Sequence, residues 1–193
     1  MTDSIWSTQA RDLLQQTASD APTPGGGSVA AVSGALGVAL IQMAVAVTAD
    51  PALDESRDRL HSLRTDVENA ADVDLQDFAE VMAAYRLPRT DEAAKAERKQ
   101  AIITALIAAT EHPLALIDAL VEAMILSGAL EPQVKASIVS DVLAGRDIAR
   151  GAARAALHTV DINLNQLDRL GSSATADLRM RRNALVDQLE EQA

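Results

Sequence analysis

The chain has 193 residues, enough for one compact domain with a sizeable core, and it is 48% hydrophobic but only 2% aromatic. Its formal charge of −11, from 17 basic and 28 acidic side chains, repels phosphate backbones, and so few aromatics cannot stack bases, which argues against nucleic acid as a partner. The lack of cysteine excludes disulfides, thiol catalysis and thiolate zinc sites, and residues 1–20 lack the basic-then-apolar plan of a secretory leader, so a cytoplasmic protein is expected.

Abundant alanine with few β-branched or aromatic faces predicts an all-α fold, a single domain over residues 1–193. A first helix is expected from about Asp3 to Ser19, ending at the loop Pro22-Thr-Pro-Gly-Gly-Gly27. Ser28 to about Thr48 follows as a helix. No charged side chain occurs from Ala21 to Ala49, yet the run is mostly small residues, contains Gln42 and is flanked by Asp20 and Asp50. That composition suits a helix buried on all sides better than a membrane span. Ala30, Gly34 and Val38 on one line, with Ser33 and Gly37 on the next, form a seam for close approach by a helix of this subunit or of a partner.

Asp50-Pro51 breaks the pattern, and Leu53 to Arg86 reads as one long amphipathic helix. Thr90 is placed to cap a helix from Asp91 to Glu111, and His112-Pro113 marks a boundary before a helix from Pro113 to Ser127. Helices at about Gln133 to Ala144, Arg146 to Leu170 and Ser173 to Glu191 complete a bundle of about eight.

Chemistry concentrates in two places. The triple glycine opens backbone N–H groups to a ligand, and the following helix start adds unpaired donors and a partial positive charge, suited to carbonyl or anionic oxygens. Ser28 there also fits an ordinary N-cap. In the long third helix Asp74, Asp77 and Phe78 share a face, whereas Asp72 and Glu80 lean away from it. A carboxylate half-buried beside Val73, Phe78, Val81 and Met82 has a raised proton affinity and can serve as a general acid or base. A solvated acidic surface is the plainer reading.

Other candidates fall away. A dinucleotide fold needs a strand before the glycines, where Ala10 to Thr17 reads as helix. No Glu-x-x-His occurs for a carboxylate-bridged metal bundle, and His61, His112 and His158 have no ligand spacing, so no metal site is expected and each reads as a surface or capping histidine. Arg179-Met-Arg-Arg182 reads as a solvated face complementing earlier acids.

The order of motifs resembles the cyclodeaminase/cyclohydrolase family, which includes the C-terminal domain of formiminotransferase-cyclodeaminase and bacterial methenyltetrahydrofolate cyclohydrolases. The residues that carry it are Pro22-Thr-Pro-Gly-Gly-Gly-Ser-Val-Ala-Ala31, Gly34-Ala-Leu-Gly37, Leu40-Ile-Gln-Met-Ala44, Asp74-Leu-Gln-Asp-Phe78, Val81-Met-Ala-Ala-Tyr-Arg-Leu-Pro88, Pro113-Leu, Ser140-Asp141 and Asp161-Ile-Asn-Leu164. The resemblance implies a helical homodimer acting on the one-carbon unit of a tetrahydrofolate substrate, with no metal and no permanently bound cofactor. It implies hydrolysis of 5,10-methenyltetrahydrofolate, with ammonia-releasing cyclodeamination or a non-catalytic folate-binding or scaffolding role as the alternatives. By position it makes Asp74 the leading catalytic carboxylate and Asp141 the second, with Pro24, Gly25, Gly26, Gly27, Ser28, Asp77 and Ser140 binding substrate. The chain departs from the family's pattern at Ala49–Asp54, with no base, at Gly128–Lys135, without the usual asparagines, and at Thr159-Val160, where an Asn-Val is usual.

Overall fold

The computed structural model describes residues 4–192, and among them it contains six α-helices and no strand. They are α1 (Ala10–Thr17), α2 (Gly26–Thr48), α3 (Asp54–Arg86), α4 (Glu92–Leu130), α5 (Val139–Leu170) and α6 (Thr175–Glu191). Short 3₁₀ turns occur at Ile5–Ser7, Pro51–Leu53 and Ala136–Ile138. α2 packs against α3 and α5, and α4 packs against the same two, so the long helices form a four-helix bundle with α6 laid along α4 and α5. The all-α expectation holds, with six helices in place of about eight.

Two expected breaks are absent, for different reasons. His112-Pro113 lies inside α4. Pro113 has no N–H, so the Ala109 carbonyl four residues earlier loses its helical donor, and Asn163 Nδ2 on α5 donates to it instead at 2.7 Å. A neighbouring helix thus satisfies the acceptor that the proline leaves open, and α4 continues. Gly145 lies inside α5, where it allows backbone contact with α2. A Cβ there would fall 2.6 Å from the Gly37 carbonyl oxygen, and one at Gly37 would fall 2.8 Å from that of Gly145.

The small-residue seam is therefore used within the subunit. A Cβ at Gly34 would fall 2.9 Å from Leu120 Cδ2 and 3.3 Å from the Ala152 Cβ, so α4 and α5 both approach α2 along it. α2 and α4 are each long and apolar enough to cross a bilayer, but about half of each apolar window is buried in the bundle.

The N-terminal segment differs from a single helix. Ile5–Ser7 is a 3₁₀ turn, Thr8 and Gln9 are extended, and only Ala10–Thr17 is α-helical. Tertiary bonds fix this path, because Asp72 on α3 accepts from Ser4 Oγ at 2.6 Å and from the Ile5 N–H at 2.7 Å, and Trp6 Nε1 donates to the Glu68 carbonyl. Caps also move. α2 begins at Gly26 with Gly25 as its cap, so Ser28 lies in the first turn, and Asp91 rather than Thr90 caps α4 by accepting from the Ala94 N–H.

The last helix behaves as its charges suggest. Arg182 makes a two-pronged bond to Asp161, both arms at 2.9 Å, and Arg179 pairs with Asp168, so the basic run ties α6 to α5.

Candidate functional site

Gly25 enters α2 in an extended conformation and offers no side chain to the helix start. The N–H groups of Gly26, Gly27 and Ser28 consequently have no acceptor among the described residues and form the positive end of a 23-residue helix. Ser28 is fully buried, and its Oγ donates to Asp74 Oδ2 on α3 at 2.6 Å. Gly27 lies against the same carboxylate. A Cβ at that position would overlap it, with the Asp74 Cγ only 2.6 Å away. Asp74 is thus held from two sides by the first turn of α2.

One turn further along α3, Asp77 is 7% exposed, and its Oδ2 lies 2.7 Å from Nδ1 of the half-exposed His112 on α4. Burial pushes the Asp77 carboxyl above the ordinary carboxylate range, and the nearby Glu80 and Asp74 charges add to this, while the His112 bond opposes it. The raised proton affinity foreseen for this helix face belongs to Asp77. Because the folded-state value is raised, the linked stability is full below the ordinary carboxylate range and declines as pH rises through Asp77's own value.

These groups wall a cavity of about 350 Å³ at one end of the bundle. The Pro22–Gly27 loop forms one side, Asp74, Asp77 and Phe78 another, and Asn163 and Gln166 on α5 face them. Tyr85 donates its hydroxyl to Gln166 Oε1 at 2.8 Å, linking α3 to α5 across the cavity. Arg98 stacks over the Tyr85 ring at 5.4 Å and donates to its carbonyl at 3.0 Å, which fixes the ring. A second cavity of about 660 Å³ adjoins the first, shares Thr23, Phe78 and Met82 with it, and is lined by Pro24 and Arg86. Arg86 makes no ion pair among the described residues.

The structure brings Gly25, Gly26, Gly27, Asp74 and Asp77 together around the first cavity, with Ser28 behind them and Pro24 next door. Ser140 and Asp141 line neither cavity. They open α5, about 30 Å from Asn163 at ~1.5 Å per residue. The residues to which the sequence reading gave no site role are Tyr85 and Asn163, quoted only within motifs, His112, read as a surface or capping histidine, and Gln166. Asn163 and Gln166 belong with Thr159 and Ile162 to a stripe of helical spacing beside the buried Val160, Leu164 and Leu167, a polar interruption that was legible. The partnership of His112 with Asp77 depends on how α3 meets α4 and had no local signal. Among the described residues, no group of three or more metal-binding side chains is arranged to hold an ion.

The arrangement can activate a water molecule and stabilise a cation. Carboxylates face a partly apolar cavity beside open N–H donors, with the amides of Asn163 and Gln166 along one edge and the cation of Arg86 in the adjoining cavity.

Comparison with known proteins places the chain in a family. Residues 9–181 match the family described as formiminotransferase-cyclodeaminase. A methenyltetrahydrofolate cyclohydrolase of Methylorubrum extorquens is 34% identical over 166 residues, 81% of this chain and 79% of that protein. The crystal structure of a formiminotetrahydrofolate cyclodeaminase from Thermotoga maritima superposes with a TM-score of 0.75 at 23% identity, covering 97% of this chain and 89% of the other, and shows the shared fold.

Proposed function

The chain belongs to the formiminotransferase-cyclodeaminase family, and from that premise we propose that it is a cytoplasmic enzyme hydrolysing 5,10-methenyltetrahydrofolate to 10-formyltetrahydrofolate, with no permanently bound cofactor. The observation that carries this reading is Asp74, clamped by Ser28 and Gly27 at the edge of the cavity, in a chain 34% identical to a methenyltetrahydrofolate cyclohydrolase.

The chemistry follows from the charge of the substrate. The bridging carbon of the methenyl group belongs to an amidinium-like cation, which Asp74 and Asp77 stabilise. Asp74 takes a proton from water as its oxygen bonds to that carbon. The adduct then loses its hydroxyl proton while the bond from carbon to N5 breaks, with the electron pair remaining on nitrogen. Two protons leave the water oxygen, one ends on N5, and one must leave the site. The open N–H groups of Gly26 and Gly27 hold a pterin oxygen, and Arg86 in the adjoining cavity meets the glutamate carboxylates.

The same residues suit cyclodeamination of 5-formiminotetrahydrofolate, the reaction named for the Thermotoga maritima structure. Loss of methenyl absorbance without ammonia release supports hydrolysis. Ammonia release from the formimino compound with no effect on the methenyl compound supports the alternative, and binding of both without turnover supports a non-catalytic folate-binding protein.

Asp141 and Ser140 reach a cavity of this kind only from a second copy. Leu36, Met43 and Val47 on α2, with Leu143 and Ile148 on α5, leave a line of exposed apolar side chains running from the middle of the bundle toward the Asp141 end. We read that face as the homodimer contact. Light scattering at micromolar concentration is expected to give twice the 20.3 kDa chain mass. A monomer mass would remove Asp141 from the site.

A further inference from the structure

We propose that His112, through its bond to the buried Asp77, is the exit by which the proton released in each turnover passes from the cavity to solvent. The proposal rests on the hydrolytic reading above, because that reaction leaves one proton on the carboxylates of the site in each turnover.

The geometry supplies a route. Asp74 and Asp77 lie one helical turn apart, and both line the cavity of about 350 Å³. Both also line a small crevice behind it, of about 10 Å³, which His112 closes together with Pro113 and Leu116. On its other side His112 lines an external groove of about 160 Å³ with Asp66, Asn69 and Ala115. The ring therefore stands between the inner carboxylates and the surface, with Nδ1 on Asp77 and with Nε2 lacking a protein partner among the described residues. The other charged groups that act on Asp77 are Glu80 and Asp74, both acidic, so among the described residues His112 is its one basic neighbour.

The proton balance closes without another reactant. The proton that Asp74 takes from water passes to the Asp77 carboxylate, whose Oδ2–H then donates to Nδ1 of neutral His112. The imidazolium loses its Nε2 proton to bulk water, exchange of the half-exposed ring with solvent returns the resulting Nδ1–H tautomer to the Nε2–H form, and both carboxylates return to their starting charge. Burial raises the proton affinity of Asp77 above that of an ordinary carboxylate, which suits it to hold a proton in transit. Pro113 contributes indirectly. Asn163 holds the Ala109 carbonyl that the proline leaves free, and this keeps α4 continuous where His112 must meet α3.

His112 is a positioning and relay residue, since it touches Asp77 and not the substrate cavity. The test is steady-state hydrolysis of 5,10-methenyltetrahydrofolate by the wild type, His112→Ala and Asp77→Asn, with and without added imidazole at constant ionic strength. In His112→Ala, kcat is expected to fall about 10-fold or more with KM nearly unchanged, and imidazole is expected to restore it in a concentration-dependent way. The wild type should not respond to imidazole, and Asp77→Asn should lose activity without rescue. An undiminished kcat in His112→Ala, or a loss that imidazole does not repair, overturns the relay while the hydrolytic reading stands. Absence of turnover in the wild type overturns the hydrolytic reading and the relay with it.

Discussion

Gly27→Ala is expected to lower turnover by about 100-fold while leaving the thermal midpoint within about 5 °C of the wild type. A Cβ at this position overlaps the Asp74 carboxylate, so the carboxylate must swing away and release Ser28 Oγ. The stability terms largely offset one another. Alanine in place of glycine gains up to ~1 kcal/mol of helix propensity, whereas a hydrogen bond to a charged group is worth about 1.5–3 kcal/mol. The catalytic term has no such compensation, because displacing a reacting group by about 1 Å costs about 100-fold. Circular dichroism melts beside steady-state assays check both halves. Full activity in Gly27→Ala would show that Asp74 does its work from another position, or does none. Gly26 is the contrast, since a Cβ there meets nothing within 4 Å. Close packing therefore does not account for the glycine at position 26.

Gly145→Ala is expected to destabilise the fold by about 2–3 kcal/mol, lowering the thermal midpoint by about 8 °C for a chain of this size. Alanine in mid-helix ordinarily stabilises. Here its Cβ would fall 2.6 Å from the Gly37 carbonyl oxygen and 2.8 Å from Ile41 Cγ1. Backbone does not yield as a side chain tip does, so α2 and α5 must separate along their contact, and the overlap outweighs the propensity gain. Gly128→Ala, in α4 with open space around it, is the matched control and should gain about 0.5–1 kcal/mol. Equal behaviour of the two variants in thermal or denaturant unfolding would contradict the packing described for α2 and α5.

The parts of the fold that were legible share a physical character. Uncharged, alanine-rich α2 and amphipathic α3 declare themselves by composition and period over many turns, and their ends fell within two residues of expectation. The parts that were not legible depend on distant partners. Pro113 reads as a break because the donor that satisfies Ala109 sits on Asn163, on another helix. Gly145 reads as a break because its use, contact with Gly37, appears only when α5 lies on α2.

The site divides in the same way. The glycine loop and the Asp74/Asp77 face are local patterns and were found as such. That Ser28 serves Asp74 rather than the helix start, and that His112 holds Asp77, are facts of how α2 and α4 meet α3. Asp141 was placed by resemblance alone, and it lies at the start of α5, far along that helix from the cavity.

The most direct test of the central claim follows the decay of 5,10-methenyltetrahydrofolate by absorbance, with the wild type and Asp74→Asn side by side and the uncatalysed rate subtracted. Wild-type turnover that falls about 1,000-fold in a folded Asp74→Asn protein is the predicted result and identifies Asp74 as the general base. Undiminished turnover in Asp74→Asn, or no enzyme-dependent decay with the wild type, would contradict it.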